Sequence, residues 1–279
     1  MAEVKIVLGA AFGDEGKGAT VQWLCKKAIE EGKRPIVIRF TGGPQSGHTV
    51  KHNGITHVCS SFGSGVLLGA PTIYQGTAAV DPICIMNEYK DLISKGIIPR
   101  IDVNDASIIT PYDVEFSRSD TKTLSDGTCG KGVYAAIYRE NLTQRYFTIL
   151  DDPKEILNSV VEHYNREHNS EYDNQFIFAF NEVLKLKETC NIEKNDVYIY
   201  EGTQGLLLDA ERGFVPHVTA TSTGLKYFSE SDLRNAEIYL VTRSYLPRHG
   251  NGYIPECNDL IQYNKGIETN VLNEYQGEF

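Results

Sequence analysis

Apolar positions along this chain fall into two rhythms. Val4–Leu8 is a nearly unbroken apolar run, as a strand needs when both faces of a parallel sheet are covered. Just beyond it the spacing lengthens: between about Gly16 and Glu31, Val21, Leu24 and Ala28 recur at helical intervals. Gly32 fits the left-handed residue that follows a helix end. PIVIRF, Pro35–Phe40, returns to a strand pattern. Strand, helix, strand predicts a βαβ unit whose first connection joins a strand's carboxyl end to a helix's amino end. Open α/β sheets bind ligands there, and helix N-termini favour anions.

The alternation continues. Asp81-Pro82 pairs an N-cap with a proline at the first helical position, and Gly96 closes that helix. Asp152-Pro153 repeats the signal ahead of Ile156, Leu157, Val160, Val161 and Tyr164. A further helix is predicted over Gln175–Lys187, with strands over Val197–Gly202 and Glu237–Arg243. No repeat or low-complexity linker interrupts the series. The expected fold is α/β: an open, twisted, mostly parallel central sheet flanked by helices, with residues 1–279 as one domain. The closing NEYQGEF carries neither pattern, and reads as a frayed terminus or as a chain that continues.

Composition narrows the function classes. The 279 residues are 41% hydrophobic and 23% charged, ordinary for a globular protein. With 27 basic against 37 acidic side chains the net charge is −10, which disfavours broad nucleic-acid binding. Any anion site must therefore draw on local positive charge. The six cysteines, at 25, 59, 84, 129, 190 and 257, include no CxxC pair and point to a reduced cytoplasmic setting without structural zinc. No stretch reaches the ~18 consecutive apolar residues of a spanning helix. The N-terminus enters a strand without a signal-type segment. Neither a membrane nor a nucleic acid is expected as a partner.

Four polar, glycine-rich segments sit beside predicted strands or helices, where α/β scaffolds carry function. They are FGDEGKG (Phe12–Gly18), TGGPQSGHTV (Thr41–Val50), SDGTCGKGVY (Ser125–Tyr134) and YEGTQGLLLD (Tyr200–Asp209), the last leading to FVPHVTATST (Phe214–Thr223). The first is not a Walker A loop. Six residues separate Gly9 from Gly16-Lys17, and Gly18 stands where the hydroxyl residue belongs.

GDEGKG, then GHT after a second strand, then EG-Q-G-LD, then P-VT, in this order from about Val4 to about Arg243, resembles the adenylosuccinate synthetase family. The resemblance implies a C–N ligase that joins L-aspartate to C6 of a 6-oxopurine nucleotide. A nucleoside triphosphate, GTP or ATP, phosphorylates O6, and the aspartate amine then displaces the phosphate. It further implies Asp14 as the base for the N1 proton and, with the Gly47 carbonyl, as a ligand of Mg²⁺. Lys17 and the backbone of Gly13, Gly16 and Gly18 would hold the transferring phosphate, and His48 would be the acid near O6. Gln45, Ser46 and Thr49 in the second loop, and Thr128, Cys129 and Lys131 in the third, fall at nucleotide- or phosphate-holding positions. So do Gln204 and Thr219 in the fourth, while Arg243 falls near the sugar or phosphate. Arg145, with Arg139 as its rival, falls where an arginine from a neighbouring subunit reaches the 5′-phosphate, so a homodimer is expected.

Simpler roles stand beside these. Asp14 would serve as a helix N-cap, His48 as a strand-end hydrogen-bonding residue and Arg243 as an exposed strand-end charge; Glu15 and Asp209 would cap or orient neighbours. The pattern also departs from the usual enzyme. Gln45 replaces an asparagine, and Cys129 replaces a threonine with a thiol, a weak donor. SYLPRHGNGYIPE after Arg243, and ETNVLNEYQG near the end, resemble a divergent phage-type branch that adds aspartate to dGMP. Asp14 belongs instead to the IMP-using pattern, the phage branch often having serine there. The expected acceptor is therefore dGMP or GMP, with IMP as the alternative. The resemblance places the aspartate-gripping loop and the triphosphate's base pocket past Phe279, so the chain is expected to lack the family's C-terminal subdomain, and GTP is not distinguished from ATP. Two other classes remain: a non-catalytic purine-nucleotide-binding module, and a GTPase switch, which NKGI (Asn264–Ile267) disfavours by lacking the aspartate of NKxD.

Overall fold

The computed structural model describes residues 3–186, 196–246, 248 and 252–254. Lys187, Cys190, Cys257 and the HGNG, NKGI and NEYQGEF stretches lie wholly or mostly outside the described residues.

In chain order the elements are β1 (Glu3–Gly9), α1 (Lys17–Glu30), β2 (Arg34–Gly42), β3 (His48–His52), β4 (Ile55–Cys59), β5 (Thr72–Val80) and α2 (Pro82–Ser94). Then follow β6 (Ile101–Asp102), β7 (Ser107–Ile108), α3 (Pro111–Ser119), α4 (Thr121–Ser125), α5 (Val133–Thr143), α6 (Pro153–His163) and α7 (Ser170–Leu186). β8 (Asp196–Gly205), α8 (Glu230–Leu233) and β9 (Ala236–Val241) complete the described set. Seven strands form one sheet in the order β6-β5-β2-β8-β1-β9, with β7 also on β5. Every described pairing within it is parallel. The fold is the expected open α/β sheet with flanking helices.

Local signals act as read. Asp81 and Asp152 cap α2 and α6 by accepting from backbone amides, each followed by proline. Gly32 and Gly96 follow their helices with φ of 72° and 77°. α7 begins five residues ahead of the predicted Gln175, because Asn169 accepts from the amides of Glu171 and Tyr172. β9 ends at Val241, so Arg243 lies past the strand rather than within it.

Two layers of packing hold the sheet. Val21, Leu24, Cys25 and Ala28 of α1 pack on Val7, Val37, Val197 and Ile199. A larger cluster joins β5 to α2, α6 and α7 through Tyr74, Ile85, Leu92, Ile156, Val160, Phe176 and Phe180. Burying each large apolar side chain contributes roughly 1.5–3 kcal/mol. One consequence matters most for function: β2, β8 and β1 are adjacent and parallel, so the loops leaving Gly9, Gly42 and Gly205 emerge side by side. No helix among the described residues is long and apolar enough to cross a membrane.

Candidate functional site

The first loop is organised from within by its own glutamate. Glu15 Oε1 accepts from the amides of Ala11 (3.0 Å) and Gly13 (2.9 Å), and Oε2 accepts from Lys17 Nζ at 2.6 Å. Burial raises the Glu15 pKa most, but Lys17 and these amides overcome it and hold the carboxyl below its ordinary value. Acidity in this loop therefore serves two ends, since Glu15 is scaffold while Asp14 is partly exposed. Asp14 is not the helix cap: Gly16 is, with φ 101° and no side-chain cap bond. Asp14 instead sits in the left-handed region, φ 59°, after Gly13 at φ 99°.

His48 opens β3, and its Nδ1 lies 2.5 Å from Glu201 Oε1 near the end of β8. Glu201 also accepts from the Ser64 amide at 3.0 Å and from the Ser64 hydroxyl. Burial pushes this carboxyl up, but the His48 imidazole, Arg39 and Ser64 hold it down at about 2. The ring's simpler role as a strand-end hydrogen-bonding group is thus met through Nδ1. Gly18 explains the missing Walker hydroxyl, because a Cβ there would stand 2.6 Å from His48 Cβ. Arg39 Nη2 donates to Ser46 Oγ at 2.6 Å and so props the second loop. Glu88 of α2 accepts from the amides of Ser60, Ser61 and Phe62, fixing the turn that delivers Ser64. His57, Cys59 and Glu88 converge closely enough to hold a cation. Those three amides and His57 already engage the Glu88 carboxylate, so the group is accounted for as structure.

A cleft of about 140 Å³ is walled in part by Gln45, three residues before His48, and Gln204, three residues after Glu201. It brings together five sequence-predicted residues, Gln45, Thr128, Cys129, Gln204 and Thr219, with Asp126, Tyr134, His217 and Arg248 also on its walls. His217 Nδ1 lies 3.0 Å from the Asp126 carbonyl, tying the third loop to the fourth. Asp209 folds the fourth: it accepts from the amides of Glu211, Arg212 and Thr223 and from Ser222 Oγ. Asp209, like Glu15, orients its neighbours. Burial keeps the Cys129 thiol protonated by raising its pKa.

Other predicted residues lie apart from the cleft. Lys131 is within electrostatic reach of Asp81 and Cys84. Thr49 and Gly47 are exposed at the start of the β3–β4 hairpin. Arg243 donates to the Tyr245 hydroxyl and stacks on that ring. Arg139, the rival to Arg145, is buried against Asp113 at 2.9 Å and is structural. Arg145 is exposed just past α5, donating to Ser159 Oγ at 3.3 Å. Sequence reasoning missed Glu201, Arg39 and Arg248. A charge inside an apolar strand run, IVIRF or VYIYE, was the available signal for the first two, since such a charge needs a partner.

A non-Walker, phosphate-type loop thus stands beside a buried imidazole–carboxylate pair at the strand ends of a parallel α/β sheet. The chain belongs to the adenylosuccinate synthetase family, whose model matches residues 6–271. It is 31% identical to the adenylosuccinate synthetase of Psychrobacter cryohalolentis, over 90% of this chain and 64% of that protein. To the enzyme of Ehrlichia canis it is 28% identical, over 97% of this chain and 70% of that protein. The fully ligated synthetase of Plasmodium falciparum superposes with a TM-score of 0.71 at 21% identity, over 91% of this chain and 64% of that one. Cyanophage S-2L succinoaminodeoxyadenylate synthetase, solved with dGMP and with dATP as energy donor, superposes at 0.60 with 15% identity, over 90% and 67%. At these identities both structures speak to the fold alone. The chain spans about two thirds of the length of the relatives it matches.

Proposed function

We propose that this chain carries the nucleotide-binding and phosphoryl-transfer site of a cytoplasmic ligase joining L-aspartate to C6 of a 6-oxopurine nucleotide. The observation that carries this reading is the His48–Glu201 pair, set against Gly18 of the first loop, with a cleft nearby whose walls join hydrogen-bonding side chains such as Gln45, Thr128, Gln204 and Thr219 to Asp126 and Arg248. In the proposed reaction the Asp14 carboxylate takes the N1 proton while O6 attacks the γ-phosphorus of GTP or ATP, and the nucleoside diphosphate leaves. His48 Nε2 donates to the charge developing near O6, its other nitrogen being held by Glu201. The aspartate amine then adds at C6 and expels phosphate, the amine's surplus proton passing to solvent. Lys17, fixed by Glu15, and the amides of the loop stabilise the transferring phosphate. Mg²⁺ suits the hard oxygen donors proposed for it, the Asp14 carboxylate and the Gly47 carbonyl, and would neutralise phosphate charge there.

The acceptor we favour is dGMP. The HGNG-containing run after Arg243 and the ETNVLNEYQG stretch support it. IMP is the second reading, favoured by the carboxylate retained at Asp14 and by the relatives named adenylosuccinate synthetase. The chain works as a homodimer: Tyr134, Tyr138 and Leu142 form an exposed apolar row along α5, with Arg145 at its end and Tyr134 reaching the cleft.

The test supplies the full-length protein with L-aspartate, Mg²⁺, GTP and ATP, and either dGMP or IMP, and looks for the succinyl adduct by mass. Adduct from dGMP alone supports the favoured acceptor, and adduct from IMP alone the second. No adduct from either, with nucleotide still bound, would mean a non-catalytic binding module.

A further inference from the structure

We propose that Thr203, backed by Thr41, is a positioning residue that fixes which end of the Gln204 side-chain amide meets the bound base, so that a 6-oxopurine is taken and a 6-aminopurine refused. The proposal rests on the nucleotide reading above and adds to it a device for telling the two kinds of base apart. Gln204 is on the cleft wall, three residues after the Glu201 that holds His48, the acid proposed near O6. A side-chain amide has two unlike ends: its N–H donates to a 6-oxo group, whereas its carbonyl accepts from a 6-amino group. Whichever end meets the base therefore selects between them. The acceptor of the proposed ligase carries oxygen at C6, and its product carries a substituted amine there.

A relay of two hydroxyls sets the sense of that amide. Gln204 Oε1 accepts from the Thr203 hydroxyl, and Thr203 Oγ1 lies 3.0 Å from Thr41 Oγ1. Each hydroxyl carries one proton. With Thr203's proton given to Gln204, the Thr203 oxygen accepts from Thr41; among the described residues no other acceptor engages the Thr41 hydroxyl. The Gln204 carbonyl is thereby occupied from within the protein. Nε2 is the end left for a ligand, since none of the described hydrogen bonds engages it. The relay is buried, Thr41 being 1% and Thr203 5% exposed. Both threonines stand two residues beyond the register partners Arg39 and Glu201 on the adjacent strands β2 and β8, which brings their hydroxyls together. Gly42, at φ 66°, makes the room: a Cβ there would collide with Thr203 Oγ1 and stand 3.0 Å from Gln204 Oε1. Removing the Thr203 hydroxyl leaves the Gln204 carbonyl without its donor, and the amide can then turn its oxygen to a 6-amino group.

The experiment titrates the full-length protein by calorimetry with two ligand pairs: IMP against AMP, and dGMP against its 6-amino analogue, 2-aminodeoxyadenosine monophosphate. The phosphate is common to both members of a pair, so the affinity ratio reports the base alone. Wild type is expected to favour the 6-oxo member. Thr203→Val should lower that ratio by about 10-fold, mainly by admitting the 6-amino ligand, and Thr203→Ser, which keeps the hydroxyl, should restore it. A purely structural residue, or a Gln204 that reads phosphate, would weaken both members alike. An unchanged ratio in Thr203→Val therefore overturns the proposal. Should Thr203→Val fail to fold, Thr41→Val is read by the same ratio, and no change there overturns the relay. Wild type that binds 6-oxo and 6-amino forms equally would leave the nucleotide reading standing and overturn this proposal. Wild type that binds no purine nucleotide would sink the nucleotide reading, and the proposal with it.

Discussion

Arg39 of β2 and Glu201 of β8 are cross-strand register partners, opposite charges buried at the carboxyl end of a parallel sheet. Each supports a different part of the site: Arg39 holds Ser46, and Glu201 holds His48. Replacing Glu201 by Gln keeps the shape but removes the charge that orients and polarises the imidazole. The expected result is a kcat lower by about 10²-fold with nucleotide affinity retained, measured by steady-state rates and calorimetry. Equal loss of kcat and binding would make Glu201 a purely structural residue.

Glu201 also predicts a pH dependence of stability. Its carboxyl titrates at about 2 in the folded protein against a reference value of 4.5, so folding favours the ionised form. That contribution is complete above about pH 4.5 and is lost as pH falls towards 2. The stability difference between wild type and Glu201→Gln, from urea unfolding, should therefore be largest near neutrality and shrink below pH 4.5. A difference growing with acidity would contradict the assignment.

The buried Glu15–Lys17 pair makes the first loop sensitive to truncation. Glu15→Ala strands Lys17 and leaves the amides of Ala11 and Gly13 without their acceptor. Breaking a buried pair this way costs about 3–5 kcal/mol. Chemical denaturation should show it, and phosphoryl transfer should fall with it.

How much of this was legible beforehand follows physical lines. Caps and periodicity are local, so α1, α2, α6 and the strands β1, β2, β8 and β9 were read within a few residues. β5 was not: in TIYQGTAAV the burial pattern breaks at Gln75–Thr77, where Gly76 takes φ 70° and the register on β2 shifts. The β3–β4 hairpin escaped for a similar reason, since its alternation is short and its exposed face carries Thr49 and Lys51. The cleft-lining set Gln45, Thr128, Cys129, Gln204 and Thr219 was legible through the resemblance, whose glycine-rich motifs carry those positions. Glu201 and Arg39 were not chosen because their roles depend on strand order, which no local pattern encodes. Arg248 meets Phe12 across most of the chain's length, again a matter of topology.

Gly18 gives a direct test of why this loop departs from Walker A. Its neighbours are His48 Cβ, which a new Cβ would approach to 2.6 Å, and Ser64 Oγ, at 3.0 Å. Gly18→Ala should displace the imidazole from Glu201 and cost about 1–3 kcal/mol of stability, as overpacking does. Gly18→Ser, which restores the Walker-like residue, should be at least as damaging to activity rather than a gain. Wild-type turnover in Gly18→Ser would show that His48 does not have to stay where it stands.

The proposed homodimer makes the last prediction. Tyr134, Tyr138 and Leu142 recur every four residues on α5, and the first two rings stack with centroids 5.8 Å apart. An exposed apolar row of this kind marks a contact surface, and Tyr134 joins it to the cleft wall. A partner seated on this face would bring its own Arg145 towards the neighbouring cleft. Tyr138→Glu combined with Leu142→Glu should therefore convert dimer to monomer in sedimentation equilibrium while leaving the fold's circular dichroism intact. Arg145→Ala should keep the dimer and weaken nucleotide monophosphate binding by about 10-fold, the scale of one charge-assisted contact. A dimer that survives the double substitution would place the interface elsewhere, and unchanged binding in Arg145→Ala would remove the arginine from the shared site.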